Sequence, residues 1–279
     1  MKIQGVGGMP RRARPGRGGL RARREARWGF LFISPWLLGL LVFTLGPILA
    51  VLAWSFTEYN ILGEPRWIGL RNYARILDDP LFPLSLWNTA VFVVVRVPIF
   101  LLLAFGLALL LNRTGRAIPL FRAAVYLPAM APVVALAVIW RILLDPRTGY
   151  VNYYGGLVGM PEVNWLTSAA LAKPVIIAIS LWSVGTATMI FLAGLQGVPE
   201  QLYEAAEIDG ASAWGKLWAI TVPMMTPTIL FNLVVEIINS FQVFAYAFIL
   251  TGGGPADATL FYVLYIYRQA FEFFQMGYA

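Results

Sequence analysis

The stretch EAAEIDGASAWGKLWAITVP, from Glu204 to Pro223, decides how the chain is organised, because it places acids between two long apolar segments. Its first six residues include Glu204, Glu207 and Asp209, and Lys216 is the only basic residue in the stretch. Basic residues normally mark the cytoplasmic connections of a membrane protein, so an acidic connection needs another explanation. A solvated acidic loop is one explanation, and a face that contacts another protein is the other. Lys216 is expected to face lipid phosphate or a docked protein.

The residues around these acids predict two short helices joined by a tight turn. Pro199 suits the first turn of a helix, and Gly210 can adopt the left-handed conformation that ends one. We therefore predict a helix from Pro199 to Ile208. Ser212 can then cap a second helix that leads into the next apolar segment. We call residues 196–223 the elbow and expect it to be exposed to the cytosol.

The composition indicates an integral membrane protein. Hydrophobic residues make up 59% of the 279, well above the share in soluble domains. The chain has no Cys, which excludes disulfides and thiolate catalysis, and no His, which removes the commonest general base and metal ligand. We therefore predict no catalytic residue and no metal site, and we expect that the chain is not an enzyme.

Five apolar runs are long enough to cross the hydrocarbon core, which takes roughly 20 helical residues. β-Barrel strands would be shorter and would alternate in polarity, so an all-α integral membrane bundle is predicted. The predicted spans cover about residues 28–56, 86–111, 121–143, 174–195 and 224–250.

The distribution of charge predicts the orientation of these spans. Nine of the 21 Lys and Arg residues precede Trp28. We predict a basic, disordered cytoplasmic arm over residues 1–27 that is attracted to anionic lipid, in preference to a nucleic-acid-binding segment or a signal peptide. The connection over residues 112–122 carries three more arginines and no acid, so it is also expected to be cytoplasmic. The elbow then faces the same side.

The last segment is predicted not to cross the membrane. Its apolar core, from Leu260 to Tyr267, has only eight residues before Arg268, and Glu272 follows. A crossing there would bury two charges at a cost of several kcal/mol. We expect an interfacial or external helix instead.

The fifth span carries a stripe of polar residues. Asn232, Glu236 and Asn239 are spaced four and three residues apart, and Gln242 follows them on the chain. An ionised carboxylate at this depth costs on the order of 3 kcal/mol unless it is paired or wetted. Two interpretations are open, a hydrogen-bonded seam between helices and the lining of a translocation path. Arg96 in the second span is a candidate counter-charge for Glu236.

The elbow resembles the EAA signature of ATP-binding-cassette (ABC) importer permeases, EAA-x3-G-x9-I-x-LP. Only Val222 departs from it, replacing one apolar residue by another. Other segments resemble the carbohydrate-uptake branch of that family, which includes maltose and glycerol-phosphate permeases. These segments are SPWLLGLLVFTLGP at Ser34, WIGLRNYARILDDPLF at Trp67, NTAVF at Asn88, YLPAMAP at Tyr126, YEAAEIDGAS at Tyr203 and LTGGGP at Leu250.

The resemblance implies a type I importer permease bundle in the inner membrane of a prokaryote. A sixth helix follows a motif like MGYA in that family, so the chain is expected to lack roughly 25 to 30 residues. The elbow would dock in a groove of a separate ATPase subunit. The residues that carry this role over are Glu204, Ala205, Ala206, Asp209, Gly210, Ile220 and Pro223.

The resemblance also implies partners and a substrate. The chain would pair with a second permease subunit, two ATPase subunits and an external solute-binding protein, and would pass a sugar or polyol. The resemblance favours a role in lining the translocation path for Asn232, Glu236, Asn239 and Gln242. It also implies that the external solute-binding protein docks at Gly253, Gly254 and Pro255.

The chain itself is expected to hold no cofactor. Its near-match to a nucleotide-binding loop, GASAWGKL, ends in Leu217, which lacks the hydroxyl that holds Mg²⁺. ATP and Mg²⁺ would therefore be used by the partner. A secondary transporter and an intramembrane enzyme are the alternatives.

Overall fold

The computed structural model describes the backbone of residues 18–279 and the side chains from residue 25 onward. It is a helical bundle with one small antiparallel ladder, in which β1 (Thr57–Glu58) pairs with β2 (Arg66–Trp67). The α-helices are α1 Gly18–Leu40, α2 Gly46–Ser55, α3 Arg71–Asp78, α4 Leu81–Leu111, α5 Ile118–Tyr126, α6 Val133–Leu143, α7 Tyr150–Leu157, α8 Ala169–Ser180, α9 Gly185–Gln196, α10 Glu200–Ile208, α11 Ala213–Lys216, α12 Val222–Phe241, α13 Ala245–Leu250 and α14 Tyr262–Tyr267.

Shorter helical turns join several of these helices. They are π-helical at Leu41–Leu45, Leu217–Thr221 and Arg268–Glu272, and 3-10 at Leu127–Met130 and Leu181–Ser183.

Five spans form, as the sequence predicts. Three are helices long and apolar enough to cross a membrane, Glu25–Ser55, Leu81–Leu111 and Ala213–Leu250. The other two are bent pairs, Ile118–Met130 with Val133–Leu143 and Ala169–Ser183 with Gly185–Gln196. The all-α membrane fold is therefore confirmed, and no sixth span occurs among residues 18–279.

The third span is broken, which the sequence prediction of one continuous helix over 121–143 missed. Its two halves meet at an angle of 94°. Ala131 has an extended backbone, with φ −72° and ψ 137°, because Pro132 disfavours a helical conformation in the residue before it. Pro132 also lacks the N–H that would continue the helix. Ala129 and Ala131, just before the break, line a cavity in the bundle.

The predicted arm needs one correction. Helix α1 begins at Gly18, so residues 18–27 are helical rather than disordered. The sequence there, GGLRARREAR, has four Arg and two Ala residues, which favour the helix and let it extend from the first span. The rest of the predicted arm, residues 1–17, lies outside the described part of the chain.

The core consists of two apolar clusters with a polar layer between them. One cluster contains Phe92 on α4 together with residues of α8, α13 and α14, and the other contains Phe100 together with residues of α9 and α12. Phe92, Arg96 and Phe100 are each one helical turn apart on α4. Arg96 therefore lies where the two clusters meet.

The last segment folds back over the end of the bundle where α4 begins, as an end helix rather than a span. The Asp79 carboxylate accepts hydrogen bonds from the hydroxyls of Tyr265 (2.7 Å) and Tyr278 (2.9 Å). Burial raises the pKa of Asp79, but the bonds from Tyr265, the Leu81 N–H and Tyr278 outweigh it, so the pKa lies below its ordinary value. Burial, together with the hydrogen bonds that join its hydroxyl to Tyr278 and Asp79, raises the pKa of Tyr265.

Candidate functional site

The elbow folds as its sequence predicts. Helix α10 covers Glu200–Ile208 with Pro199 immediately before it. Gly210 has a φ of +76°, the left-handed conformation that ends the helix. The Ser212 hydroxyl accepts a hydrogen bond of 3.1 Å from the Gly215 N–H and caps α11. Local rules alone therefore specify this unit.

The tip of the elbow offers acidic and apolar groups to solvent. Glu204, Ala205 and Asp209 are exposed and Ala206 is half-buried. Glu204 makes no hydrogen bond or ion pair with any residue from 25 to 279. Ile208, one turn beyond it, leaves 88% of its surface uncovered. An exposed carboxylate beside small and apolar side chains is a surface suited to contact with a protein.

Two contacts tie α10 to the base of the fifth span. Lys216 Nζ lies 2.6 Å from Glu207 Oε1, and the hydroxyls of Tyr203 and Thr221 are 2.9 Å apart. The hydrogen bond and positive charge of Lys216 lower the pKa of Glu207. The expectation that Lys216 faces lipid or a docked protein is therefore wrong, because its ammonium is used inside the elbow. We call these two contacts the brace.

The remaining EAA-like positions lie where the elbow joins the span. Ile220 is half-buried in the π-helical turn, and Pro223 lies in the first turn of α12. A π-helical turn often marks a functional site within a helix. This turn joins the elbow to the fifth span.

A buried polar cluster joins three spans at the middle of the bundle. Arg96 Nη1 lies 2.8 Å from Glu236 Oε2 and donates to Ser240 Oγ at 2.7 Å. Arg96 Nε donates to Ser180 Oγ at 2.9 Å, and the guanidinium carbon is 4.6 Å from the centre of the Phe100 ring. The counter-charge role suggested for Arg96 is therefore confirmed.

Two cavities, of about 190 and 480 Å³, lie against this cluster. Arg96, Val133, Asn239 and Tyr246 line both of them, so these four side chains lie between the two spaces. The larger cavity extends toward Asn232 and the smaller toward Gln242. Two neighbouring cavities thus follow the polar stripe of the fifth span.

The stripe divides between the two roles that its sequence suggested. Glu236 belongs to the hydrogen-bonded seam, and Asn232 is 2% exposed and donates to the Thr228 carbonyl of its own helix. Both also border the larger cavity. Asn239 and Gln242 are exposed and line the cavities. Part of the stripe therefore takes part in hydrogen bonds between helices, and part of it forms the wall of the cavities.

Other cavity residues were missed by the sequence reasoning. Ser180, Ser183, Thr186 and Tyr246 all line one or both cavities. The first three are spaced by three residues, and they sit in the fourth span, where hydroxyls stand out among apolar neighbours. That spacing places residues on one helical face and could have identified them. Tyr246 carries no such signal.

The LTGGGP segment is more enclosed than expected. Gly253 is buried with a φ of +92°, and a Cβ there would lie 3.0 Å from Arg268 Nη2. The Arg268 guanidinium also donates to the Gly252 carbonyl. Gly253 therefore cannot contact an external protein, and its predicted docking role is wrong. Gly254 and Pro255 are half-buried, so docking stays a prediction for them.

Comparison with known proteins identifies the family. A family model described as the binding-protein-dependent transport system inner membrane component matches residues 67–276. The chain belongs to this family. The resemblance found in the sequence is thus confirmed. The inner membrane component family consists of transport proteins, in agreement with five apolar spans and with a chain that is not itself an enzyme.

Several curated relatives are similar over most of their length. The probable ABC transporter permease protein YesP of Bacillus subtilis (strain 168) is 38% identical over 262 residues, which covers 92% of this chain and 84% of the relative. The lactose transport system permease protein LacF of Rhizobium radiobacter is 37% identical, covering 88% and 84%. The trehalose/maltose transport system permease protein MalF of Thermococcus litoralis is 34% identical, covering 91% and 85%.

Solved structures share the fold. A chain of a bacterial alginate ABC transporter, in complex with a periplasmic protein carrying an alginate pentasaccharide, matches with a TM-score of 0.81. It is 23% identical and the match covers 92% of this chain and 88% of that one. A second structure of a bacterial alginate importer matches with a TM-score of 0.80 at 24% identity. The bundle is therefore that of an ABC importer permease.

Proposed function

We propose that the chain is the transmembrane permease subunit of an ATP-driven, binding-protein-dependent sugar importer, and that it forms half of the translocation path. Relatives named for transport of lactose, trehalose or maltose, and arabinooligosaccharides support a saccharide substrate. The N-terminus faces the cytoplasm in this proposal, because the arginine-rich segments then lie inside.

The chemistry of the two cavities supports an uncharged saccharide. Among residues 25–279, Arg96 and Glu236 are the only ionisable groups other than tyrosine that line them, and their opposite charges balance. Arg96 Nη2 makes no hydrogen bond within residues 25–279, so its two N–H groups remain available to a sugar hydroxyl. Asn239 and Gln242 add amide donors and acceptors. An acidic sugar would place an unbalanced negative charge in this space.

The elbow supports coupling to a separate ATPase. Glu204, Ala205 and Ile208 form an exposed surface that the rest of the described chain leaves uncovered. The assembly would comprise two permeases, two ATPases that hold ATP and Mg²⁺, and a solute-binding protein on the outer side. Each elbow would be gripped by one ATPase subunit.

The brace supplies a physical route from ATPase to cavity. When the ATPases close on ATP, each would displace its elbow, and the brace and the π-helical turn would pass this displacement to the fifth span. That span carries Glu236 and Ser240, whereas Arg96 and Ser180 belong to the second and fourth spans. Movement of the fifth span would therefore change the cavity walls and expose them alternately to the two sides.

The exposed, unpaired Glu204 at the tip of the elbow carries the proposal. Glu204→Lys should leave membrane insertion intact while reducing both sugar uptake and co-purification of the ATPase. The matched control is Glu64→Lys, since Glu64 is an exposed acid in the hairpin connection after the first span. Unchanged uptake and assembly in Glu204→Lys would show that the elbow does not dock the ATPase.

A further inference from the structure

An apolar groove of about 280 Å³ runs along the outer surface of the second, third and fourth spans. Every residue that lines it is apolar. Leu103 and Leu107 supply one wall, Val125 and Pro128 another, and Leu181 and Trp182 the third. The groove therefore offers shape and apolar surface at membrane depth, and its lining has no charged, amide or hydroxyl side chain for a sugar to bind.

One end of this groove reaches the arginine-rich connection. The Arg122 guanidinium donates from Nε and Nη2 to the Leu111 carbonyl, at 3.3 and 2.9 Å, and so fastens α5 to the end of α4. Leu107 lies one turn before Leu111, and Val125 lies about one turn after Arg122. Both line the groove, so it ends directly beneath this contact.

The connection beyond that contact carries free positive charge. Arg113 and Arg116 are exposed, and neither forms an ion pair or hydrogen bond with residues 25–279. No acid occurs between residues 112 and 122 to neutralise them. Two guanidinium groups thus lie in the connection that begins at this end of the groove, two and five residues after Leu111.

We propose that the groove and the basic connection form a binding site for one anionic phospholipid. Its phosphate would bind Arg113 and Arg116, and an acyl chain would lie along the groove past Leu107 toward Trp182. The membrane supplies such a molecule at the required depth. Free phosphate would satisfy the arginines but leave the groove empty, and only a lipid combines both chemistries.

The first test compares two double variants in the assembled transporter. Arg113→Gln/Arg116→Gln removes the headgroup contacts, and Arg66→Gln/Arg71→Gln removes two exposed arginines from the other end of the bundle as a matched control. Each complex is equilibrated in phosphatidylcholine vesicles that contain phosphatidylglycerol, and retained phosphatidylglycerol is counted by native mass spectrometry. A basic residue at an anionic surface contributes roughly a factor of five, so affinity should fall about 25-fold in the first variant alone.

The second test reports on the groove itself. The chain has no Cys, so Leu103→Cys introduces a single thiol in the groove, and Leu86→Cys, similarly exposed on the same helix, serves as the control. Phosphatidylglycerol should slow maleimide labelling at position 103 but not at 86, and inorganic phosphate should have no effect. The Arg113→Gln/Arg116→Gln background should abolish this protection.

Three outcomes would overturn the proposal. Equal phosphatidylglycerol retention in both double variants would show that Arg113 and Arg116 do not bind the lipid headgroup. Protection of position 103 by inorganic phosphate would show that the occupant need not be a lipid. Failure of position 103 to react in the delipidated complex, while position 86 reacts, would show that the second permease covers the groove.

Discussion

Separating the Arg96–Glu236 pair should destabilise the protein strongly, whereas removing both charges should not. Arg96 and Glu236 are 7% and 8% exposed, so either partner left alone would be a buried, uncompensated charge. Glu236→Leu strands the guanidinium, and Arg96→Met strands the carboxylate. Arg96→Met/Glu236→Leu leaves neither charge behind.

The magnitude follows from the geometry of the pair. Two unit charges about 4 Å apart interact by about 4 kcal/mol at an effective dielectric constant of 20. Loss of one partner of a buried pair typically costs about 3–5 kcal/mol, and replacement of both by apolar residues is often neutral. Each single variant should therefore lose about 3–5 kcal/mol, and the double variant less than about 1 kcal/mol.

The assay is a double-mutant cycle on the purified complex, with the free energy of unfolding measured by denaturant titration. Sugar uptake is measured in parallel. The double variant should be stable but should transport poorly, because it lacks the Arg96 Nη2 donors. Losses that simply add in the double variant would refute the reasoning. Full uptake by a stable double variant would show that transport does not need the proposed contact between Arg96 and the sugar.

Two further predictions concern the brace and the last segment. Lys216→Met should change the free energy of unfolding by no more than about 1 kcal/mol, since an exposed pair contributes little. It should still bind the ATPase but should transport less sugar per ATP hydrolysed. The swap Lys216→Glu/Glu207→Lys should restore coupling, and normal uptake in Lys216→Met would contradict the role of the brace. The lowered pKa of Asp79 contributes stability that is present above its ordinary pKa of 3.8 and is lost as the pH falls through its lower folded-state pKa. The melting temperature should therefore drop more steeply below about pH 4 in the wild type than in Asp79→Asn, and equal acid sensitivity of the two would contradict this role.

The elbow was predictable because its determinants are local. Pro199, Gly210 and Ser212 act on neighbours within a few residues, and each does in the structure what its residue type favours. Lys216 was misassigned because its partner lies nine residues away, across the turn. The direction in which the second helix leaves that turn decides the contact, and residue type alone does not specify it.

The cavity was harder to predict, because it depends on how distant spans pack. Arg96 and Glu236 are 140 residues apart, and charge alone suggested their pairing. The 94° bend in the third span was missed, although Pro132 offered the signal, because composition alone favours a continuous span. The family resemblance implies docking at Gly253, but it carries no information about which side chain covers that glycine. Here Arg268 covers it.

The most direct test of the central claim, that a cytosolic ATPase grips the elbow, is the accessibility of Ala205. The chain has no Cys, so Ala205→Cys places a single thiol on the exposed tip of α10. A membrane-impermeant maleimide should label it in inside-out vesicles and not in right-side-out vesicles, and added ATPase subunit should block the labelling. Labelling from the outer side, or labelling that the ATPase leaves unchanged, would contradict the account.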